Sequence, residues 1–207
     1  MSATGCAGVP WEKADGWEQE LERRMCLATD GDTLRGMFFN GTLEALGALG
    51  DEALVRRCLA ETGEERFLDF FHYPVTMHGR LVSVVMPVLV EEYGGGEEAL
   101  RQLGRLVARR FLQVGVGKVM RAMLPLSPWQ LQSTLPIAYR AAVSFGEYSV
   151  RWMGPRRGIF SLRRDFMPYP FHEGVLEVAL QLWGGRAVEV RGWQTGGLDS
   201  ECDFRWQ

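Results

Sequence analysis

The sequence predicts an α+β fold, an N-terminal helical bundle packed on a C-terminal antiparallel sheet with one inserted helix, and three observations carry that prediction. Helical start and stop signals follow one another from Trp17 to about Ser144. The hydrophobic period then shortens, and aromatic and β-branched runs are broken by the turn sequences "GE" and "GPRR". Finally "PFHEGVLEVALQLWGG" returns to helical spacing before a last hairpin.

Residues 1–16 are small, polar and aperiodic and are read as a flexible tail, leaving residues 17–207 as a single domain. Asp32 or Thr33 caps a segment running to Leu49, and Asp51 caps "EALVRRCLAETG", which Gly63 stops. "RLVSVVMPVLVEEY" is apolar nearly all round, as a central helix should be, and Pro87 removes one backbone donor from it. In "GGGEEALRQLGRLVARRFLQVGVGKVMRAML" Leu100, Leu103, Val107, Phe111 and Val114 share one side of a long helix. Arg101, Arg105 and Arg109 share the other, a pattern read as a solvated face. Ser127, Pro128 and Gln130 fit a cap, a first helical position and a capping-box partner. Strands are expected at "YRAAVSF", "YSVRWM" and "GIFSLRRDF". The late helix follows, and "AVEVRGWQT" and "ECDFRWQ" pair around "GGLDS".

Composition narrows the function. The chain has 207 residues, 46% hydrophobic and 24% charged, with a formal charge of -3, which gives no global attraction to nucleic acid or anionic lipid. The longest apolar run, Leu81 to Val90, is about half of what a membrane span needs, and no signal-peptide order opens the chain, so a cytoplasmic protein is expected. Cys6, Cys26, Cys58 and Cys202 are far apart and unpaired in pattern, which predicts free thiols rather than zinc ligands or a disulfide framework.

Motifs for catalysis are missing. "GVGK" lacks the rest of a phosphate loop, because Leu112 stands where its first glycine belongs and Val119 where its Ser or Thr belongs; Gly115 and Gly117 are read as helix-packing glycines. Arg156, Arg157, Arg163 and Arg164 make a modest basic patch without the aromatic ladder of single-strand binders. Three histidines and no Gly-x-Ser-x-Gly elbow leave triads unsupported, so no enzyme is expected. The pair His172 and Glu173 is read as the first turn of a packed helix. His172 then sits at the exposed end, and Glu173 contributes roughly 0.3–1 kcal/mol through the macrodipole. Phe171, Val175, Val178, Ala179 and Leu182 turn toward the sheet.

The stretches "RGMFFNGTLEALGALGDEAL", "LPIAYRAAVSFGEYSVRWMGP" and "RRDFMPYPFHEGVLEVAL" closely resemble a family of uncharacterised paralogous proteins expanded in myxobacteria, from Trp17 onward. More distantly, the order of elements and the closing "DSECDF" are similar to haem-nitric-oxide-binding domains, vinyl-reductase-type domains and TRAPP vesicle-tethering subunits. That resemblance implies an α+β fold around an apolar cavity. It does not carry haem over: the positions matching the propionate motif are Ile159, Ser161 and Arg163, so its Tyr is missing, and no His occurs between His78 and His172 to serve as axial ligand. Cys58 is the only counterpart of an acylated Cys and is read as a buried small hydrophobe.

The expected function is a non-enzymatic module that binds a small hydrophobic or aromatic ligand, without a cofactor, and signals to a protein partner. Tyr139, Trp152, Phe166 and Trp193 are the candidate walls, and Arg140 or Arg163 the anchor for an anionic end. The rival is a ligand-free scaffold whose seven Trp serve docking or homodimerisation. An enclosed apolar space favours the first, and a solid interior the second.

Overall fold

The computed structural model describes residues 16–48, 52–113, 118 and 128–207. The expected tail apart from Gly16, with Cys6, the Asp51 cap, Val114, Gly115 and Gly117, and the Ser127 cap, lies outside the described residues.

The order is α1 (Trp17–Cys26), β1 (Thr33–Arg35), α2 (Gly36–Ala48), α3 (Glu52–Thr62), β2 (His72–Pro74), α4 (Val75–Tyr93) and α5 (Gly96–Gln113), followed by α6 (Pro128–Ala142). Then come β3 (Glu147–Gly154), β4 (Arg157–Arg163), α7 (Tyr169–Leu182), β5 (Glu189–Gln194) and β6 (Ser200–Arg205). The fold is thus the α+β arrangement that the sequence predicts, with α7 inserted between the strands. The four-stranded sheet is antiparallel in the order β3-β4-β6-β5. Alternation along it is that of a half-covered sheet: Tyr148, Val150, Phe160, Leu162, Cys202 and Phe204 are buried beneath α6 and α7, and their neighbours face outward.

The apolar run of α4 becomes the centre of the helical core, with Leu81, Val82, Val85, Met86 and Leu89 buried against α1, α2, α3 and α5. Gly63 and Gly94 end α3 and α4 in the left-handed region (φ 71° and 79°), where glycine carries no Cβ penalty. Among the described residues no helix is long and apolar enough to cross a membrane. Cys58 and Cys202 are buried, Cys202 as a free thiol, and Cys26 is an exposed free thiol.

Four expectations need correction. The stretch "YRAAVSF" is not a strand. It is mostly the end of α6, because Leu135, Ala138, Tyr139 and Ala142 recur at helical spacing on a face that packs inward; only Val143 bridges, to Leu34. Asp32 and Thr33 do not cap a helix. Thr33 opens β1, which pairs with β2, while Asp32 accepts the Thr29 amide (2.7 Å) and receives both terminal nitrogens of Arg164 (2.6 and 2.8 Å). The Arg164 contact comes first in holding the Asp32 carboxyl down to about 2, against a smaller opposing effect of burial.

The other two concern α5 and α7, the most extensive helix pair in the fold. Arg101 and Arg105 are not a solvated face. Arg101 donates to Glu173 (2.6 and 2.9 Å) and Glu98, and Arg105 donates to Glu177 (2.6 Å) and Glu98 (2.8 Å). Nor does α7 have one apolar stripe. Leu176 and Leu180 pack under the sheet, whereas Phe171, Val175, Ala179 and Leu182 face α5 and α6. A helix buried on two sides has no single apolar stripe for a periodicity argument to find. The axes approach closely because Gly104 and Gly174 meet: a Cβ on Gly104 would collide with the Phe171 carbonyl oxygen, and one on Gly174 with the Arg101 carbonyl oxygen.

His78 sits in this core, 1% exposed, with Nε2 3.1 Å from Thr42 Oγ1 and its ring edge-on to Phe39. Burial pulls its pKa from 6.5 down to about 4, although a hydrogen bond with the Phe38 backbone resists this. Between those values the unfolded chain holds the extra proton. Stability is therefore full above pH 6.5 and falls as the pH drops toward 4, by about 3 kcal/mol in all. Urea melts of wild type and His78→Gln across that range should show the slope in the first and its loss in the second.

Candidate functional site

The site begins in the turn between β4 and α7. Arg164 adopts φ 52°, its amide donates to Asp199 Oδ1 (2.9 Å), and the chain then turns Asp165 inward to 3% exposure. Asp165 Oδ1 accepts the Met167 amide (2.8 Å), an Asx-type contact that shapes the entry to α7. Arg24 of α1, fully buried and paired with Glu20 (2.6 Å), donates to the Asp165 and Met167 carbonyls at 2.9 and 3.0 Å. Pro168 and Pro170 then start α7, Pro168 as its N-cap and Pro170 within the first turn.

On that first turn His172 and Glu173 are buried, 2% and 3% exposed, and this corrects the expected surface position. Both have partners deep in the protein. His172 Nε2 lies 2.9 Å from Asp165 Oδ1, and Nδ1 lies 3.0 Å from Tyr139 Oη. Asp165 Oδ2 also accepts the Tyr148 hydroxyl at 2.9 Å. Burial pushes the Asp165 carboxyl up, but the His172 ring beside it, the Met167 amide and the Tyr148 hydroxyl together hold it below the usual range. An ionised Asp165 assigns the Nε2 proton to the Asp165 contact, so in the neutral imidazole Nδ1 accepts from Tyr139. Burial first, and then the Asp165 charge, push the Tyr139 phenol well above its ordinary value and keep it protonated.

Glu173 serves a different purpose. Its Oε2 binds Arg101, and its Oε1 accepts the Gly192 amide of β5 at 2.6 Å. Burial raises its pKa against the opposing pull of the Gly192 amide and Arg101. Glu173→Ala strands the Gly192 amide and leaves Arg101 to Glu98, and it is expected to cost about 2–4 kcal/mol, well above a dipole contribution, whereas Glu173→Gln should cost less than half as much in the same urea melts.

Tyr139 also belongs to the wall of an apolar pocket between α5, α6 and α7, with about 80 Å³ of free space. Val107, Ala108, Phe111 and Leu112 line it from α5, and Leu135, Ala138, Tyr139 and Ala142 from α6. The third wall is Phe171, Val175, Ala179 and Leu182 of α7 with Trp183, and Phe38 of α2 completes it. Four alanines on facing helix positions leave the space, and five rings surround it.

Of the sequence candidates, Tyr139 is therefore at this pocket. Its neighbour Arg140 is exposed on the other side of α6. Trp152 packs half-buried against Phe204 and Trp206 at the far end of the sheet. Phe166 is fully buried in the helical core, edge-on to Phe145. Arg163 is exposed beside Glu147 and Glu201 at the opposite face of the sheet, and Trp193 is exposed in a charged groove with Arg191 and Arg101. The six do not converge. Asp165 was missed, although its spacing of seven residues ahead of His172 across a Pro-rich turn is a signal that a neighbour-only search for a His partner overlooks.

The fold is shared with solved structures of H-NOX proteins. One from S. oneidensis in the Fe(II)NO ligation state is 10% identical, with TM-score 0.62, over 84% of this chain and 99% of that one. The Fe(II) unliganded H-NOX protein from K. algicida is 10% identical, with TM-score 0.63, over 84% and 97%. Such identities establish likeness of fold. The residues around the pocket do not suit a haem. Among the described residues that line it there is no His, Cys or Met; Tyr139, the one oxygen-bearing side chain, is tied to His172; and no cation is placed for propionates. His78 lies elsewhere, held by Thr42 in the α2–α4 core. Among the described residues there is also no group of three His, Cys, Asp or Glu suited to a metal ion. No curated protein matches the sequence. Residues 27–207 match the family described as protein of unknown function, DUF2378, and the chain belongs to that family.

Proposed function

We propose that this domain is a non-enzymatic sensor that takes up a small hydrophobic ligand between α5, α6 and α7 and passes its occupancy to a protein partner. The observation that supports this most directly is the pocket itself, apolar along its described lining and bordered by a buried polar relay. Burial of apolar ligand surface supplies the affinity. Tyr139 belongs to both the wall and the relay, so a ligand that shifts its ring acts on His172, on Asp165, and through the Asp165 and Met167 carbonyls on Arg24 of α1. The H-NOX likeness adds a fold in which relatives hold an Fe(II) centre, and it is the fold alone that supports the comparison.

Native mass spectrometry of the purified full chain tests the proposal. A small molecule should co-purify with wild type and be lost in Ala142→Leu, which fills the pocket. A wild-type mass equal to the bare chain, with no rise in Tm on adding any apolar compound, would overturn it.

A ligand-free docking scaffold is the second reading, favoured by one observation. Leu68, Phe70 and Phe71 are 40%, 53% and 63% exposed on the loop before β2, a cluster of apolar side chains of the kind that partners cover. Phe71→Glu should then abolish any self-association measured by sedimentation, while leaving the pocket untouched.

A further inference from the structure

We propose that the pocket selects a small uncharged aromatic molecule, about one ring in size, and rejects carboxylates. This rests on the ligand-binding role just proposed and narrows its chemistry.

The first observation is shape. Ala108, Ala138, Ala142 and Ala179 come from three helices and make the gap, so the space is bounded by helix faces and by the rings of Phe38, Phe111, Tyr139, Phe171 and Trp183. About 80 Å³ of free space is of the same order as the ~150 Å³ engineered apolar cavity that takes up benzene. Rings around such a slot offer edges and faces to a planar guest.

Charge is the second. No Arg or Lys is among the described residues of the lining. Arg101 and Arg105 of α5 point the other way, into Glu98, Glu173 and Glu177, and Arg140 is exposed. An anion entering would lose its hydration and gain no counter-charge from the described residues of the lining. It would also approach the ionised Asp165, which stands behind Tyr139 with only His172 between them. The Tyr139 hydroxyl is occupied in its bond to His172. The expected anchoring of an anionic end by Arg140 or Arg163 is therefore replaced by exclusion of such an end.

Toluene and benzoate share one ring and differ in charge, and decanoate supplies charge on a flexible chain. Each should be titrated against the full chain by thermal melting and by tryptophan fluorescence, since Trp183 lines the pocket. Toluene should raise Tm saturably and bind at least about tenfold more tightly than benzoate. Ala138→Leu should remove the toluene response and keep a cooperative melt; if that variant does not fold, Ala142→Leu replaces it. Benzoate binding as tightly as toluene would overturn the proposal, as would a toluene response that survives both fillings. Binding of decanoate alone overturns the aromatic, uncharged class but leaves the ligand-binding role standing. Silence from all three probes, with no co-purifying molecule, overturns both.

Discussion

Gly174→Ala is expected to unfold the chain, or to lower its stability by at least about 3 kcal/mol, although it adds only a methyl group and favours helix in isolation. The added carbon would collide with the Arg101 carbonyl oxygen and lie 2.9 Å from the Arg105 amide nitrogen. Backbone cannot rotate away as a side chain can, so α5 and α7 must separate. That separation would also pull Arg101 and Arg105 from Glu173 and Glu177. Gly104→Ala should behave alike, since its carbon would strike the Phe171 carbonyl and stand 3.2 Å from the Val175 amide. Gly47→Ala is the control. It lies in α2 with nothing within 4 Å and should raise stability by about 0.5–1 kcal/mol. Urea melts followed by circular dichroism measure all three, and a Gly174→Ala midpoint equal to wild type would refute this account of the helix crossing.

His172→Ala is expected to cost about 3–5 kcal/mol, because it leaves the Asp165 carboxylate buried without its ring partner. The Met167 amide and Tyr148 hydroxyl remain, so the loss belongs to one contact and not to the whole turn. Asp165→Asn removes the charge and keeps the size. The double variant should therefore lose less than the sum of the two single losses, by about 1–3 kcal/mol of coupling. Additive losses in the four melts would mean that His172 and Asp165 contribute to packing independently.

Legibility in the sequence followed the physics of each element. Where one face of an element is buried and the other wet, as in β3, β4 and β6, alternation marks the strand and its inward side. The β5–β6 hairpin was legible from turn chemistry alone, and Gly63 from its left-handed role. Residues 139–145 were misread because Tyr, Val and Phe favour strands in isolation, while the helix exists to present Ala138 and Ala142 to neighbours far away in sequence. The same reason hid the pocket. Its space is made by alanines, which carry no chemical signature, and its polar border joins Arg24, Tyr139, Tyr148, Asp165 and His172 across 148 residues of numbering. Aromatic residues near the sheet were the visible candidates, but a tryptophan such as Trp152 packs the sheet's end equally well.

The reach of Glu173 to Gly192 bears on how copies of this chain meet. Gly192 stands opposite Cys202 in the β5–β6 ladder, and Thr195, an odd number of places away, donates to Asp199 across the hairpin. By that alternation the Gly192 N–H points off the open border of the sheet, where a strand of another molecule would attach. A buried carboxylate already occupies it. An incoming strand must displace that carboxylate oxygen and leave it buried without its amide, so the border resists strand-to-strand stacking at this position. The clip that locks α7 to the sheet thus also makes the β5 border a poorer seat for a foreign strand at Gly192.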